Sequence, residues 1–396
     1  MSAYQLIKKP VDEIRQELAQ YGAELHSTRL PETYLIKFTP QTKVGHPAIN
    51  HLKGLIFNHT TGTIWSMTYP VPIEMKDLTP EESEFTLAQI FQNSLRHPYT
   101  VQEALDGTML RLWYHPETQC WWLSTNGKED SSEAYWMNGC SFYDQFWSAE
   151  PQIQTDHLNQ NYVYLFLLCH PLNVIVVNHT QPKVYHVATY DRETLSELPP
   201  QEIGVEQLPD YFSPETGLAP TLEEIQKKIH EAHDKPVASA GFLVTQKTEI
   251  DGIVIVKRYR FENANYTRAR ELRGESNNID FHLLELVLSD TPTSAEVLEE
   301  FLTFYPIYRS EVELLQQRLA NLVGKLYREY GLRHKSHHDI FVHPRHHKFL
   351  GEIHTQIYLN RLKAQQKTVQ YMDIMEMVRH QPPAKVLYLL NYIYDI

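Results

Sequence analysis

The feature that most constrains the fold is a change of hydrophobic period about two-thirds of the way along the chain. Up to roughly residue 275, apolar and polar residues alternate between turn signals, which is typical of β-strands and hairpins. Beyond residue 293 the period is helical, and the pattern stops near Gly331. The helical series comprises Val312, Leu315, Leu319, Leu322 and Leu326. The sequence therefore predicts an α+β protein, with an antiparallel-sheet core followed by a helical C-terminal domain.

Two hairpins and three helices can be predicted from local signals. One hairpin covers residues 52–69 and turns at residues 59–62, and the other covers residues 241–261 and turns at Asp251-Gly252. Thr79 opens a helix with Pro80 and Glu82, and Thr293 with Glu296 predicts a second capping box. Residues 222–233 are expected to form an amphipathic helix.

Composition indicates a cytoplasmic protein that is not anchored in a membrane. The longest apolar runs fall far short of the roughly 18 residues of a transmembrane helix, and the N-terminus has no secretory pattern. Cys120, Cys140 and Cys169 are too scattered for a disulfide framework or a zinc site. We therefore expect a reducing compartment and no bound structural metal.

Residues 101–114, VQEALDGTMLRLWY, carry the first part of a family resemblance. The stretch resembles the nucleotide-attachment motif of RNA ligases, DNA ligases and capping enzymes, in which a lysine stands two residues before an Asp-Gly pair. Here Asp106 and Gly107 match the pair, but Ala104 occupies the lysine position. The resemblance implies that a covalent lysyl nucleotide cannot form at residue 104, because a methyl group is not a nucleophile.

Other segments resemble motifs of phage-type RNA ligases, of the T4 RNA ligase 1 kind, in the order that this family requires. Upstream, Lys53 begins a KGLIF segment, and Lys76 follows in residues 69–77. Downstream, residues 122–128 are similar to the strand and glycine turn after the attachment site. The resemblance implies nucleotide binding by Lys53, Lys76 and Gly107, while Asp106 either holds a catalytic position in the pocket or caps the turn before Gly107.

Two further motifs are altered at the positions expected to carry glutamate. Residues 164–176, YLFLLCHPLNVIV, imply a Phe166 that stacks on adenine, but Leu167 stands at the glutamate position. Residues 239–244 resemble a metal-positioning Glu-Gly motif, with Ala240 before Gly241. An alternative alignment places the metal motif at residues 251–255, DGIVI.

The last motif is a closing strand that normally carries two lysines. In residues 256–274, Lys257 matches the first lysine, implying a phosphate contact, and Tyr259 replaces the second. The row Arg268, Arg270 and Arg273 either faces phosphate or pairs with nearby glutamates.

The resemblance implies a nucleotidyltransferase (ATP-grasp-like ligase) domain at 1–275, with an N-terminal portion 1–95 and a motif-bearing core 96–275. The helical domain is predicted at 276–396. Three hypotheses follow: a pseudo-ligase that binds a nucleotide, RNA or a protein partner; an ATP-dependent RNA ligase inactivated by replacement of lysine at position 104; and a non-catalytic interaction scaffold. ATP and Mg²⁺ are the implied cofactors where binding or activity is retained, and the sequence leaves open whether the chain is an enzyme.

Charge supplies a separate hypothesis about RNA. The formal net charge of -13 disfavours nucleic-acid binding overall. Residues 325–367, however, contain nine Lys and Arg, three Asp and Glu and seven His. The candidate RNA contacts are Arg333, Lys335, Arg345 and Lys348. The histidines between residues 334 and 347 are either a polyanion-binding surface or plain solvated residues, and the flanking cations disfavour a metal.

Overall fold

The structure is a computed structural model. It describes residues 2–44, 46, 48–75, 99–135, 139–208, 210–212, 237, 240–250, 253–274, 278–289, 293–336, 338 and 340–390. Lys76, the predicted helices at Thr79 and at 222–233, and the turn Asp251-Gly252 lie outside these residues. The chain divides into two compact units, Met1–Arg270 and Glu271–Ile396. The predicted domain boundary between residues 275 and 276 stays a prediction.

Over the described residues, the first unit consists mainly of β-strands, with three short helices before β13. The described helices are α1 (Ala3–Ile7), α2 (Val11–Ala19) and α3 (Phe142–Ser148). The described strands are β1 (Ala23–Ser27), β2 (Thr33–Phe38), β3 (Ile56–Asn58), β4 (Thr63–Ser66), β5 (Ile73–Glu74), β6 (Tyr99–Glu103), β7 (Thr108–His115), β8 (Cys120–Thr125), β9 (Tyr162–Cys169), β10 (Lys183–Asp191), β11 (Asp210–Phe212), β12 (Gly241–Ile250) and β13 (Ile253–Glu262). Helix α4 (Ala264–Arg273) follows β13.

The strands form three sheets with the orders β1-β2-β3-β4, β10-β9-β7-β8 and β11-β6-β12-β13-β5. All pairings between these strands are antiparallel except that of β13 with the two-residue strand β5. Both predicted hairpins are confirmed, as β3 with β4 and as β12 with β13. Strand β9 is nearly all apolar and is buried along its length, because it lies between β7 and β10 and is covered on both faces.

The second unit is built from helices. They are α5 (Ile279–Leu288), α6 (Ser294–Phe304), α7 (Arg309–Tyr330), α8 (Pro344–Glu352), α9 (Tyr371–Arg379) and α10 (Pro383–Leu390). The predicted leucine-rich helix is confirmed: α7 ends at Tyr330 and continues as a π-helical turn, Gly331–Lys335. Helix α8 likewise continues as a π-helix over Ile353–Leu362. The α+β class, with antiparallel sheets and C-terminal helices, is therefore confirmed.

One predicted cap is wrong. Thr293 precedes α6, but its side chain makes no capping hydrogen bond, because its backbone (φ -99°, ψ -1°) is not in the extended conformation that aims a capping oxygen at the helix. None of the described helices combines the length and the apolar character that crossing a membrane requires.

Candidate functional site

A cavity of about 460 Å³ opens in the first unit where the β6–β7 connection meets β13 and the turn before β3. Its size lies within the range of roughly 300–1,000 Å³ that is usual for small-molecule sites. Its charged lining residues are Lys53, Glu74, Glu103, Asp106, Arg260 and Arg270. Apolar side chains form much of the remaining wall, namely Val71, Leu105, Met109, Leu167, Ile175, Val187, Leu208 and Leu243. The cavity can thus receive a ligand with a charged part and an apolar part.

Ala104 lies at the wall of this cavity, and Ala240 is its backbone neighbour. The Ala104 amide donates to the Gly241 carbonyl at 2.9 Å, and the Ala240 amide donates to the Ala104 carbonyl at 3.0 Å. Gly241 has φ +133°, and a Cβ there would stand 1.9 Å from the Phe261 carbonyl oxygen. Only glycine fits this position, so the two altered motif segments are held side by side.

Asp106 is buried and its carboxylate is fixed by three donors. Oδ2 accepts hydrogen bonds from the Val176 and Val177 amides, both at 2.8 Å, and Oδ1 accepts one from the Tyr266 hydroxyl at 2.9 Å. Burial, and then the Asp106 charge, raise the pKa of Tyr266, so the phenol stays protonated as a donor. Asp106 therefore connects β6–β7 to the segment after β9 and to α4, which leaves little of its carboxylate available for a ligand.

Gly107 is required by a close approach of two strands. A Cβ at residue 107 would stand 2.6 Å from the Leu168 carbonyl oxygen of β9. Beside it, the side-chain amide of Asn173 donates to the Thr108 hydroxyl at 2.7 Å. The segments 101–114 and 164–176, which the sequence analysis singled out separately, are thus brought together at the cavity.

The expected stacking residue Phe166 faces away from the cavity. It is completely buried and packs edge-on against Phe146, with ring centroids 5.3 Å apart. Because side chains alternate along a strand, the neighbouring Leu167 is the one that lines the cavity. Adenine stacking on Phe166 is therefore not compatible with this arrangement.

In strand β13, too, the residue that lines the cavity is not one of those expected from the motif. Lys257 is exposed, and Tyr259 is buried in an apolar cluster with Val101, Val244 and Phe261. Neither is among the described residues that line the cavity, whereas Arg260 is. The cation that β13 supplies to the cavity is therefore Arg260 and not Lys257.

Three cations meet in the cavity, Lys53 from the turn before β3 and Arg260 and Arg270 from β13 and α4. Arg260 and Arg270 both approach Glu262, at 3.4 and 3.5 Å, and Glu74 stands opposite Arg260 in the pairing of β5 with β13. Burial, followed by repulsion from Arg270 and Arg260, lowers the pKa of Lys53, while Glu74 acts in the opposite direction. Burial is therefore the main reason that the neutral form of the Lys53 amine is favoured, and the two arginines add to it.

The basic stretch of the second unit is arranged differently. Lys335 donates to the Val369 carbonyl at 3.1 Å and lies over the Tyr327 ring, and Arg345 lies over the Tyr388 ring. Arg333 is partly buried and Lys348 is exposed. These four residues do not line the cavity described above.

The histidines of this stretch are divided between the interior and the surface. His346 is completely buried, with Nδ1 3.1 Å from the Glu329 carboxylate, which gives it a packing role. His334 stacks on His354, with ring centroids 4.4 Å apart. In the described part of the chain, no group of three or more His, Cys, Asp or Glu side chains is placed to hold a metal ion.

Sequence reasoning thus identified Lys53, Ala104, Asp106, Gly107 and Leu167 as residues that the structure brings to one cavity. It missed Glu74 and Arg260, assigned no role to Tyr266, and left open whether Arg270 faces phosphate or pairs with glutamate. The available signal for Arg260 was the alternation of β13, in which Arg258, Arg260 and Glu262 share one face.

Comparisons with known proteins leave the family open. No protein-family model matches the chain, and no curated protein matches it. A putative ATP-dependent DNA ligase from Aquifex aeolicus is similar at 11% identity and a TM-score of 0.43, covering 88% of each chain. An archaeal ATP-dependent RNA ligase is similar at 12% identity and a TM-score of 0.41 over 99% of each chain. A Naegleria gruberi RNA ligase mutant with AMP and Mn is similar at 15% identity and a TM-score of 0.33, over 51% of this chain and 57% of that chain.

Proposed function

We propose that the cavity binds a nucleoside triphosphate, and that the chain is an RNA-ligase-like protein which forms no covalent nucleotide adduct at position 104. The observation that carries this proposal is the convergence of Lys53, Arg260 and Arg270 on one partly apolar cavity beside Ala104. Glu262 lies within 3.5 Å of both arginines, so an anionic ligand would share these two cations with that carboxylate. Guanidinium groups also match phosphate oxygens with paired hydrogen bonds.

The carboxylates of the cavity fit a magnesium nucleotide better than a free anion. Mg²⁺ takes oxygen ligands and is usually held by one or two carboxylates together with phosphates. Because Asp106 is already bonded to three donors, Glu74 and Glu103 are the residues that would hold Mg²⁺. The bound ion would offset phosphate charge. The wall formed by Leu167, Met109 and neighbouring apolar residues would receive the base.

Equilibrium titration with ATP and Mg²⁺ tests the proposal. Wild-type chain should bind ATP, and Arg260→Gln should weaken binding by about tenfold or more, because a charge-assisted hydrogen bond contributes roughly 1.5–3 kcal/mol. Arg15→Gln is the matched control, since Arg15 is an exposed arginine on α2, paired with Asp12. Absence of ATP binding by the wild-type chain would refute the proposal and favour a protein-interaction scaffold.

The inactivated-ligase hypothesis has one supporting observation: Ala104 itself lines the cavity. In Ala104→Lys, the new amine would enter the space already lined by Lys53 and Arg260. Incubation with α-labelled ATP, followed by denaturing electrophoresis and peptide mapping, shows whether residue 104 takes up label. Label at residue 104 would support a ligase inactivated at this position, and its absence there, with ATP binding retained, supports a degenerate site.

A further inference from the structure

A buried histidine closes the turn (residues 170–173, the histidine turn) that follows strand β9. His170 is 7% exposed. The backbone amide of Leu172 donates to His170 Nδ1 at 3.0 Å, and the backbone amide of Asn173 donates to the His170 carbonyl at 2.8 Å. Pro171 has no N–H, so Leu172 offers the first backbone donor after the histidine. The imidazole of His170 thus acts as a hydrogen-bond acceptor within the turn.

The second ring nitrogen of His170 fixes the protonation state of the ring. Nε2 lies 3.3 Å from the Ser148 hydroxyl oxygen, and this hydroxyl donates its own hydrogen to the Gln145 carbonyl at 2.9 Å. The Ser148 oxygen can therefore only accept from the imidazole, so Nε2 carries the hydrogen and Nδ1 carries none. A second proton would have to enter at Nδ1, where the Leu172 N–H already points. The closed turn and a protonated His170 are therefore incompatible.

The segment that follows the histidine turn is part of the cavity wall. The backbone amides of Val176 and Val177 hold the Asp106 carboxylate, and Ile175 lines the cavity. His179 contacts the same aspartate, with Nε2 2.6 Å from the Asp106 carbonyl oxygen. Because the turn fixes the start of this segment, opening the turn would loosen the groups that hold Asp106.

The titratable groups on β9, on α3 and in the segment after the turn give His170 no ion pair over the described residues. They are Tyr143, Asp144, Tyr162, Tyr164, Cys169 and His179. The Asp144 carboxylate accepts from the Ser141 hydroxyl at 2.7 Å, and burial, followed by the Asp106 charge, raises the pKa of the Cys169 thiol to about 12. Burial, and then the charge of His179, lower the pKa of His170. The surroundings thus favour the same neutral ring that the hydrogen bonds require.

We propose that His170 is a proton-sensitive latch: its protonation opens the histidine turn, releases the segment that holds Asp106, and weakens binding of the nucleoside triphosphate. This inference rests on the proposed function for its effect on the ligand, but not for the opening of the turn. The open turn binds one proton more than the closed turn in acid, so a fall in pH favours opening and a rise in pH restores the closed turn. For a single proton, the opening constant increases by at most about tenfold for each pH unit.

The test compares the wild-type chain with His170→Asn, which keeps an acceptor for the Leu172 amide but does not titrate. Asparagine accepts the backbone amide two residues ahead in Asx-turns, and Asn-Pro favours turn initiation. Hydrogen exchange of the full chain is followed by mass spectrometry on peptides that cover residues 170–179, at the same pH for both proteins so that intrinsic exchange cancels. Near pH 7.5 the two proteins should exchange alike. Near pH 5.5 the wild-type segment should exchange about three- to tenfold faster than that of His170→Asn. His157→Asn, at an exposed histidine of the same unit, is the matched control and should follow the wild-type chain.

Titration with ATP and Mg²⁺ at the same two pH values links the latch to the cavity. From the higher to the lower pH, the wild-type chain should lose about threefold more affinity for ATP than His170→Asn loses, since changes in ATP itself are common to both proteins. Equal exchange of the two proteins in acid would overturn the latch, and equal loss of ATP affinity would overturn its effect on the cavity. Absence of ATP binding at both pH values would refute the proposed function, while the exchange measurement would still decide the latch.

A direct titration of the ring decides the matter if His170→Asn is unprotected already near pH 7.5. The imidazole signal of His170 in the NMR spectrum of the wild-type chain is identified by its absence from the variant. Its midpoint should lie below about 6.5, the ordinary value of histidine, because the closed turn excludes the second proton. A midpoint at or above that value would overturn the proposal.

Discussion

The cavity of the first unit and the basic stretch of the second unit both contain several cations, but they hold them in opposite ways. In the cavity, Lys53 comes from a different part of the chain than Arg260 and Arg270, and all three face one space. In the basic stretch, Lys335 and Arg345 are close in sequence, yet each lies over a separate aromatic ring. The difference teaches that a dense run of charge in the sequence is a weaker indication of a binding site than convergence in space.

The largest expected effect is on the free energy of unfolding, and it comes from replacing one glycine in each unit by alanine. Gly107→Ala should destabilise the first unit by about 1–3 kcal/mol, because the new Cβ would meet the Leu168 carbonyl oxygen and overpack the strand contact. Gly324→Ala in α7 should stabilise the second unit by about 1 kcal/mol, since alanine favours helix and meets no atom within 4 Å.

Urea unfolding with two probes would resolve these changes. All six tryptophans lie in the first unit, so their fluorescence reports it, whereas circular dichroism at helical wavelengths is weighted toward the second unit. The fluorescence transition should move to lower urea in Gly107→Ala and stay in place in Gly324→Ala. A Gly107→Ala variant as stable as wild type would show that β9 can move away from residue 107, and the close approach would lose its importance.

The second prediction concerns RNA binding by the basic stretch. If these residues contact RNA, Arg333→Gln with Lys348→Gln should weaken binding more than Lys335→Gln with Arg345→Gln, because the latter two cations are held over rings. Each lost phosphate contact should reduce the salt dependence of single-strand binding by about 0.7 in logarithmic slope. Filter binding of single-stranded RNA across salt concentrations measures both quantities. Equal salt-dependence slopes for both double variants and the wild-type chain would exclude this stretch as an RNA surface. As a control, the ATP affinity of both double variants should equal that of the wild-type chain.

Much of the fold could be predicted from the sequence because it is encoded locally. The hairpin of β12 with β13 follows from alternating residues around one turn, and α7 follows from a series of leucines that ends near Gly331. Ala104, Asp106 and Gly107 were also identified, since they lie within four consecutive residues. Fold class and the centre of the candidate site are therefore recoverable from short segments.

The rest of the site depends on which face of a strand is turned to the cavity. Phe166 and Leu167 are neighbours in β9, and a motif match does not decide which of them points inward. The same ambiguity led to Lys257 and Tyr259 in place of Arg260. Because a shift of one residue exchanges the two faces of a strand, these positions require the register of the whole sheet. Tyr266 bonds to Asp106 across 160 residues, and no local pattern predicts that contact.

The smallest expected effect is a pH dependence of stability that separates the lysine of the cavity from a lysine at the surface. The folded-state pKa of Lys53 is lowered, so the unfolded chain binds more protons between that pKa and 10.5, and stability rises with pH in this window. Lys53→Met removes the cost of holding a charged amine there. It should therefore raise the urea midpoint of the fluorescence transition slightly at pH 7, and this gain should shrink as the pH approaches 10.

Lys183, whose pKa is raised chiefly by its hydrogen bond to Glu206, should give the opposite sign in Lys183→Met: a small loss of stability that is present at pH 7 and fades only as the pH passes its folded pKa. A Lys53→Met midpoint equal to wild type at every pH would show that the amine is fully solvated, and the contrast between cavity and surface would not extend to this residue.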